Sequence, residues 1–485
     1  MHLFTRISQK TKISLLYILL ILILICILPG VPASIQQDGF YKYIQMVDFI
    51  EQDFQSLERY YIDPELKPNK KEVPFEEPFT YQIKGSEYFV FPFFWIILNT
   101  PFILLLGFYG IYILSTIFGM LSIFLLRDVL MTLEEPEQKI IDLSLLFYAI
   151  STPLLIYTSW FYEANFCNFL FFLFLILMNS HIIKIKLFLY STIVLSFIFL
   201  LRIEVFYLSM IYLSVFTFYN FLKDQQRIFV LGLSVILTLL INTVIHMVLY
   251  NFPFPIRMMQ TDTTITMMDR LFRIVEYLFF SKHSLLLYFS LSFITLCLFW
   301  KSINQKMKVL LTSTWIFILT LPFLAPHQQG SDIFPRYFYP IMPFLGFFAL
   351  HYFYNFTRFK GLWTRIIVFI QPTVIIFLAL VISIGASYTI FNYHNHFKEY
   401  FTNYNIIHHT MIKFIAIDYK DRMIYSISNI EDARELDSRI YKLRGVRPTH
   451  FFLKHEEFDL EQVLENFEIV NEYKNILVGK IKPRL

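Results

Sequence analysis

Charge is scarce in this chain. Only 16% of its 485 residues are charged, whereas about 25% is usual for soluble proteins. Hydrophobic residues make up 56% and the mean hydropathy is +0.55. This balance excludes an ordinary soluble protein. A helix that crosses a bilayer needs about 20 mostly apolar residues, so a chain of this length can make roughly ten crossings and still carry soluble parts.

Other absences narrow the function. The three cysteines, Cys26, Cys167 and Cys297, lie in apolar runs without a CxxC pair, which argues against a disulfide framework and a cysteine metal site. The sequence contains no GxxxxGK[ST] loop, no HExxH pair and no GxSxG turn. The net charge of +4 is spread over short loops, so nucleic acid is not an expected partner. The energy for any reaction is therefore expected to come from the substrate itself.

The apolar runs predict a mostly α, polytopic membrane protein with about 11 transmembrane helices. The predicted spans are 13–35, 103–126, 140–159, 164–179, 187–203, 205–222, 228–250, 285–300, 309–325, 337–356 and 366–391. Every short linker on one side is rich in lysine and arginine, which the positive-inside rule places in the cytoplasm. This orientation puts the N-terminus inside and the C-terminus on the periplasmic or extracellular side of the cytoplasmic membrane.

The first span has two interpretations. Its basic start, apolar run and small residues at Val31–Ala33 also fit a cleavable signal peptide, although the run is long enough to cross the bilayer. Both interpretations place Asp38 on the outer side of the membrane.

The chain divides by composition into a transmembrane domain, 1–391, and a small outer α/β domain, 392–485. Within the first outer loop, 36–87, the stretch FYKYIQMVDFIEQDFQSLERYY predicts an amphipathic helix lying on the membrane surface. The following stretch, 87–102, is apolar but interrupted by two prolines. It predicts a partly embedded segment that does not cross the membrane.

The outer domain shows short alternating elements. RMIYSISN, THFFLKH and NILVGKIKP have the pattern of strands, and IEDARELDSRIYKL and DLEQVLENF have the pattern of helices. No internal repeat is present.

Asp38 is the first candidate for chemistry, because it follows the first apolar run in QQDGF. A carboxylate at headgroup depth can remove a proton from a hydroxyl as that hydroxyl attacks a sugar. The alternative is an interfacial polar residue that closes the span, with Gly39 allowing a turn.

Three more ionisable residues border predicted spans. Glu163 in STPLLIYTSWFYEANF can bind a sugar hydroxyl, or it can be a residue of a water-exposed hairpin loop. Arg202 in FIFLLRIEVFYL can hold a phosphate through its guanidinium fork, or it can pair structurally with Glu204.

Arg336 is the strongest candidate for a lipid phosphate, since it stands at the outer end of a span in FPRYFYPIMPFL. The alternative is an ordinary interfacial arginine beside an aromatic belt that includes Tyr337. Arg257 and Lys282 are weaker candidates for the same phosphate, and Tyr337 and His283 are candidate substrate contacts.

Taken in order, these stretches resemble the GT-C superfamily of polyprenyl-phosphate-sugar-dependent glycosyltransferases. The resemblance covers roughly residues 13–391 and is greatest to the bacterial relatives of protein O-mannosyltransferases and the lipid A aminoarabinose transferase. Its marks are QQDGF, GSEYFVFPFFWIIL, STPLLIYTSWFYEANF, FIFLLRIEVFYL and FPRYFYPIMPFL.

The resemblance implies a sugar donor on a polyprenyl phosphate, attacked at the anomeric carbon with inversion. Asp38 would be the base, and Arg336, with Arg202 as a second candidate, would stabilise the departing lipid phosphate. Glu163 would contact the substrate or the acceptor, which is a glycan, a lipid or an exported protein. Many members carry an Asp-Glu pair where this chain has Asp38-Gly39, which puts the family's divalent metal in doubt.

Two other classes of membrane protein would have a similar composition. A flippase or transporter for a lipid-linked saccharide would show two similar halves, and the sequence shows none. A polysaccharide polymerase or ligase would carry its large loop late in the chain, whereas the largest outer loop here comes first.

Overall fold

A computed structural model describes most of the chain as two compact units. The described residues are 9–29, 38–61, 65, 79–133, 136–180, 182–256, 266–276, 279, 300–324, 336–356, 362–401, 404–408, 423–427, 430–444, 451–454, 460–473 and 476–482. The helical unit comprises Met1–Ile27 and Pro92–Ser383, and the mixed unit comprises Leu28–Phe91 and Ile384–Leu485.

The helical unit is built from apolar helices joined by short linkers. In chain order these are α1 (Gln9–Ile27), α3 (Phe93–Leu106), α4 (Ile111–Leu133), α5 (Gln138–Ser151), α6 (Leu154–Ser159), α7 (Ala164–Asn179), α8 (Lys184–Leu201), α9 (Ile203–Asn220), α10 (Gln225–Tyr250), α11 (Met267–Val275), α12 (Gln305–Leu324), α13 (Met342–Phe356) and α14 (Leu362–Phe397), which continues into the mixed unit. A 3₁₀ turn over Gly107–Gly110 joins α3 to α4, and another over Arg336–Ile341 leads into α13.

Within the described residues, six helical stretches are long and apolar enough to cross a membrane. They are Lys10–Ile27, Phe93–Leu133, Lys184–Leu201, Ile203–Asn220, Gln225–Tyr250 and Val368–Tyr400. The expectation of a mostly α, multi-pass membrane protein is confirmed to this extent, while the total of 11 spans stays a prediction. The predicted span at 285–300 lies almost entirely outside the described residues.

Two boundary predictions in this unit are wrong. The first helix ends at Ile27, well before the predicted end of the span at residue 35. The predicted span 140–159 is broken into α5 and α6 at Thr152 and Pro153, because proline lacks the amide hydrogen that would continue the helix.

The stretch 87–102 also departs from its prediction, since most of it is helical and forms part of a candidate span. Pro92 occupies the N-cap of α3, where no amide hydrogen is needed. Pro101 lies inside α3, and the two preceding side chains bond back to the helix. Asn99 Nδ2 donates to the Trp95 carbonyl at 2.8 Å and Thr100 Oγ1 donates to the Ile96 carbonyl at 2.9 Å. The helix nevertheless continues through Pro101 to Leu106, so the irregular segment predicted here is not observed.

In the mixed unit, α2 (Asp38–Glu51) precedes a hairpin of β1 (Thr80–Ile83) and β2 (Ser86–Phe89). The hairpin turns at Lys84 and Gly85, which both have positive φ, as the tight two-residue turns of hairpins require. Helix α2 corresponds to the predicted surface helix but is shorter than expected, and nine of its 14 residues are buried. It is a packed helix, so the expectation that it lies on the membrane surface is not supported.

The C-terminal part of this unit forms a five-stranded mixed sheet in the order β4-β3-β5-β7-β6. Its elements are β3 (Tyr404–His408), β4 (Met423–Ile427), α15 (Ile430–Arg444), β5 (Phe451–Lys454), α16 (Leu460–Asn466), β6 (Phe467–Tyr473) and β7 (Ile476–Ile481). Strand β3 pairs in parallel with β4 and β5, whereas β7 pairs antiparallel with β5 and β6.

The five elements predicted by pattern in this region are present. Strands β3 and β6 were not predicted. Tyr61, from the segment after α2, packs in the same hydrophobic core as Ile406, Tyr425 and Phe451. The proposed domain boundary at residue 392 stays a prediction.

Candidate active site

Asp38 is the first residue of α2 and is half-buried. It therefore begins a new helix instead of closing the first span, and Gly39 is a buried helical residue, so the predicted turn at Gly39 is wrong. The unpaired backbone amides at a helix N-terminus favour a negatively charged side chain in the first turn. The Asp38 carboxylate and burial together raise the pKa of Tyr41, one turn further along, with burial as the larger cause.

Aromatic rings and a buried cation surround the first two turns of α2. The Tyr41 ring stacks on Phe79 with centroids 4.2 Å apart and on Phe91 with centroids 6.0 Å apart. Lys42 is 1% exposed, and its Nζ lies 5.7 Å from the centre of the Phe91 ring. Aromatic faces stabilise a cation removed from water. The helix that carries Asp38 is thus held by packing along much of its length.

The end of α2 is held by a cluster that the sequence analysis missed. Arg59 Nε lies 2.9 Å from Asp48 Oδ2, and Arg59 Nη1 lies 3.8 Å from Glu87 Oε1. Tyr61 donates to Glu87 Oε2 at 2.5 Å, and the Arg59 guanidinium lies over the Phe89 ring at 4.7 Å. All three charged side chains are buried. A buried guanidinium thus joins α2 to the β1–β2 hairpin.

This cluster holds two carboxyl groups and one guanidinium, so one arginine cannot neutralise both. Burial raises the pKa of Asp48 to about 7, opposed by the attraction of Arg59 and assisted by repulsion from Glu87. Asp48 Oδ1 is buried and has no hydrogen-bond partner in the described part of the chain, which also disfavours the charged form.

In the helical unit, Glu163 is the N-cap residue of α7 and is fully buried. The alternative that it stands in water in a hairpin loop is therefore wrong. The turn before it is tight: Phe161 has a φ of 59°, a backbone conformation that a bulky side chain adopts only when its surroundings force it. Trp95 Nε1 donates to the Phe161 carbonyl at 3.2 Å, which fixes this turn against α3.

Glu163 shares Arg202 with Glu204. Arg202 Nε lies 3.5 Å from Glu163 Oε1, and Arg202 Nη2 lies 2.8 Å from Glu204 Oε1. Arg202 is an extended residue between α8 and α9, so the helix break turns its side chain towards the α7 hairpin. Arg202 was expected either to hold a phosphate or to pair with Glu204. The structure favours the pairing and shows that Glu163 is a second partner of the same guanidinium. A guanidinium already facing two carboxylates is a poor partner for a phosphate.

The 3₁₀ turn Arg336–Ile341 lies beside Arg202 and Glu204. Tyr337, Tyr339, Arg202 and Glu204 line one crevice of about 10 Å³, which is large enough for a single water at most. The motif stretches around Glu163, Arg202 and Tyr337 are thus brought together at one end of the helical unit.

A buried chain of hydrogen bonds extends this junction. Tyr339 donates to Asn165 Oδ1 at 2.9 Å, and Asn165 Nδ2 donates to Thr158 Oγ1 at 2.8 Å. Thr158 in turn bonds the Tyr17 hydroxyl at 2.6 Å, which brings in α1. Neither Asn165 nor Tyr17 was a sequence candidate. The two asparagines in the otherwise apolar run ANFCNF, Asn165 and Asn168, were the available signal, because buried amides need partners.

The remaining candidates fall outside the description. Arg257, Lys282 and His283 lie among residues that the structure does not describe, and for Arg336 only the backbone, which begins the 3₁₀ turn, is described. Their proposed roles stay predictions.

A divalent metal, which the resemblance implies, needs several acidic or imidazole side chains at one place. No three His, Cys, Asp or Glu side chains converge among the described residues. Glu163 and Glu204 are close through Arg202, whose positive charge occupies the place that a metal ion would take between them. The described residues therefore do not fit a divalent ion.

No protein-family model and no curated protein matches the sequence. Solved structures do match. The apo oligosaccharyltransferase of Archaeoglobus fulgidus aligns with 92% of this chain and 70% of its own, at 12% identity and a TM-score of 0.53. ArnT from Cupriavidus metallidurans, solved with undecaprenyl phosphate, aligns with 98% of this chain and 99% of its own at 10% identity, but its TM-score of 0.49 is too low to carry an argument.

The archaeal likeness shows a shared fold and leaves activity open at this identity. The GT-C resemblance expected from the sequence is confirmed at the level of the fold.

Proposed function

We propose that this protein is an integral membrane glycosyltransferase. It moves a sugar from a polyprenyl-phosphate donor to a glycan, lipid or exported-protein acceptor at the outer face of the cytoplasmic membrane. The observation that carries the proposal is the meeting of three separate motif stretches, around Glu163, Arg202 and Tyr337, on a fold shared with an oligosaccharyltransferase. Fold alone does not imply function, so the site residues must bear the argument.

In the proposed reaction, Asp38 is the base. It accepts the proton of an acceptor hydroxyl while the oxygen of that hydroxyl forms a bond to the anomeric carbon. The bond between that carbon and the lipid-phosphate oxygen breaks, and its electron pair leaves with the phosphate. Support comes from the position of Asp38 as the first residue of a packed helix, where the carboxylate form is favoured.

Arg336 is proposed to stabilise the phosphate that leaves. Preorganised positive charge where negative charge develops is usually the largest contribution to such reactions. Arg202 is the weaker choice for this role because two carboxylates already neutralise it. Arg257 and Lys282 remain further proposals for phosphate contact, and His283 for substrate contact.

Glu163 is proposed to act mainly by position. Its carboxylate holds Arg202 and so fixes the α7 hairpin beside Tyr337. A sugar contact by Tyr337 requires the crevice that it lines with Arg202 to widen, because its present volume cannot admit a sugar ring.

The test begins with mass analysis of surface glycans and exported proteins from a deletion strain, which identifies the missing sugar. The strain is then complemented with the wild type, Asp38→Asn or Asp53→Asn. Asp53 is the matched control, since it is exposed, lies in the segment after α2, and has a φ of 50° that asparagine adopts readily. Asp38→Asn should fail to restore the sugar at wild-type membrane levels, whereas Asp53→Asn should restore it. Restoration by Asp38→Asn would remove the base assignment, and an unchanged glycan profile in the deletion strain would remove the proposed function.

A further inference from the structure

A second cavity lies in the helical unit, at the opposite end of α7 and α9 from Arg202. Its volume is about 550 Å³, within the usual range for small-molecule sites. Along α7 the first cavity residue, Met178, is 15 positions from Glu163, and along α9 the first, Tyr212, is 10 positions from Arg202. At about 1.5 Å per residue, the nearest cavity residues are about 22 Å from Glu163 along α7 and about 15 Å from Arg202 along α9. The cavity is therefore separate from the site around Glu163 and Arg202.

The cavity has an apolar floor and a polar rim. Leu133, Met178, Tyr212 and Val309 are buried and line the floor. The other lining residues are mostly polar and more exposed: Thr132, Asn179, Phe216, Asn220, Asp224, Arg227, Asn304, Gln305 and Lys306. This combination suits an amphipathic molecule whose polar end stays near water.

Two cations and one carboxylate face the cavity. Asp224 caps α10, because its carboxylate accepts from the backbone amide of Arg227 at 3.3 Å. Its charge is therefore partly offset by the N-terminus of that helix. Among the described residues that line the cavity, Arg227 and Lys306 therefore outnumber the one carboxylate.

Arg227 retains unused donors. Its Nη2 donates to the carbonyls of Leu177 and Ser180, both at 2.7 Å, and so caps the end of α7. Its Nε is buried without a hydrogen-bond partner in the described part of the chain. Lys306 Nζ donates one bond, to the Thr132 carbonyl at 2.9 Å. A buried donor left unpaired carries a penalty that an incoming acceptor removes.

From these contacts we propose that the cavity binds an anionic phosphate group through Arg227 and Lys306. Guanidinium and ammonium groups are the usual phosphate ligands, and basic pockets between membrane helices take up anionic headgroups. A lipid headgroup or a free phosphate group could supply this chemistry. The apolar floor favours the lipid, since its glycerol and acyl carbons can cover Leu133 and Val309 while the phosphate reaches the rim.

The rival explanation is that both cations only cap helix ends. Lys306→Gln and Arg227→Gln separate the two roles, because an amide still donates a hydrogen bond to a carbonyl but has no charge. Lys308→Gln and Arg127→Gln are the matched controls. Lys308 lies on the same helix as Lys306 without lining the cavity, and Arg127 is a partly exposed arginine on α4 that pairs with Asp128.

The experiment uses the full chain, purified in detergent and supplied with phosphatidylglycerol, phosphatidylcholine or inorganic phosphate. Native mass spectrometry counts retained lipid. The wild type should retain phosphatidylglycerol over phosphatidylcholine, and each cavity variant should lose about fivefold in retention, the effect of one basic residue at an anionic lipid surface. The controls should match the wild type.

Displacement of the lipid by millimolar phosphate, seen in the wild type but not in Lys306→Gln, would assign the site to a free phosphate and still support the proposed chemistry. Equal retention of both lipids, or equal loss in the cavity variants and the controls, would overturn it. Lys306 is exposed, so its variant should fold even if Arg227→Gln does not. Because no sugar transfer is measured, failure here is distinct from failure of the proposed transferase activity.

Discussion

Arg202 and Glu163 form an ion pair inside the helical unit, with Nε 3.5 Å from Oε1 and both side chains almost completely buried. Glu204 completes the group at 2.8 Å from Nη2. A buried charge is expensive unless it is paired. The three residues therefore depend on one another, and this dependence can be measured.

The first prediction concerns the removal of the shared cation. Arg202→Met leaves two buried carboxylates facing each other and should destabilise the protein by about 3–5 kcal/mol. The triple variant Arg202→Met, Glu163→Gln, Glu204→Gln removes all the charge and should recover most of that loss. Thermal unfolding in detergent, followed by tryptophan fluorescence, provides the comparison. If the single and triple variants unfold at the same temperature, the three side chains are not coupled as described.

The second prediction concerns pH. Burial raises the pKa of Asp48 to about 7 in the folded protein, whereas an unfolded aspartate titrates near 3.9. Between these values the folded state holds the extra proton. The free energy of unfolding should therefore fall as pH rises from about 4 to about 7, by up to about 1.4 kcal/mol per pH unit.

Asp48→Asn tests this directly, because asparagine imitates the protonated side chain. Its unfolding midpoint should lose the dependence on pH in that window, and at pH 8 it should be at least as stable as the wild type. Glu51→Gln, on the same helix, is the control and should keep the wild-type slope. A slope that survives in Asp48→Asn would place the titration elsewhere.

Much of the fold follows from local patterns, and the failures have physical causes. Apolar runs predicted the long helices because a membrane helix must be apolar along its length. The stretch 87–102 was misjudged because Pro101 suggests a break, whereas α3 continues through it to Leu106. Strand β3 was missed because its place in the sheet depends on pairing with β4 and β5, which both come later in the chain.

The candidate site was predictable in part. Glu163 and Arg202 attracted notice because charged residues are rare beside apolar runs. The pairing of Glu163 with Arg202 could not be predicted from the sequence, because it depends on how α7 packs against the break between α8 and α9. The cluster of Asp48, Arg59 and Glu87 was missed for the opposite reason: charged residues in a polar loop give no hint that they are buried together.

The third prediction concerns Arg336. If its guanidinium holds the lipid phosphate, Arg336→Gln should reduce kcat/KM for a polyprenyl-phosphate donor by about 10- to 100-fold, the range for losing a hydrogen bond to a charged group. Transfer of labelled sugar by isolated membranes measures this, once the donor is known. Arg127→Gln serves as the control, because Arg127 pairs with the neighbouring Asp128 on α4. If Arg336→Gln leaves kcat/KM for the donor unchanged, Arg336 does not hold the phosphate and is an ordinary interfacial arginine.

The fourth prediction concerns the packing of α13 on α5. A Cβ atom added at Gly346 would lie 2.2 Å from Cε1 of the Phe147 ring, so Gly346→Ala forces that buried ring to move. Overpacking of this kind should destabilise the protein by about 1–3 kcal/mol, and adding Phe147→Leu should relieve part of it. Gly232→Ala is the control, because no atom lies within 4 Å of its added Cβ and alanine favours the helix. The unfolding temperatures of the two variants provide the measurement. If Gly346→Ala and Gly232→Ala unfold at the same temperature, α13 and α5 do not meet at Gly346.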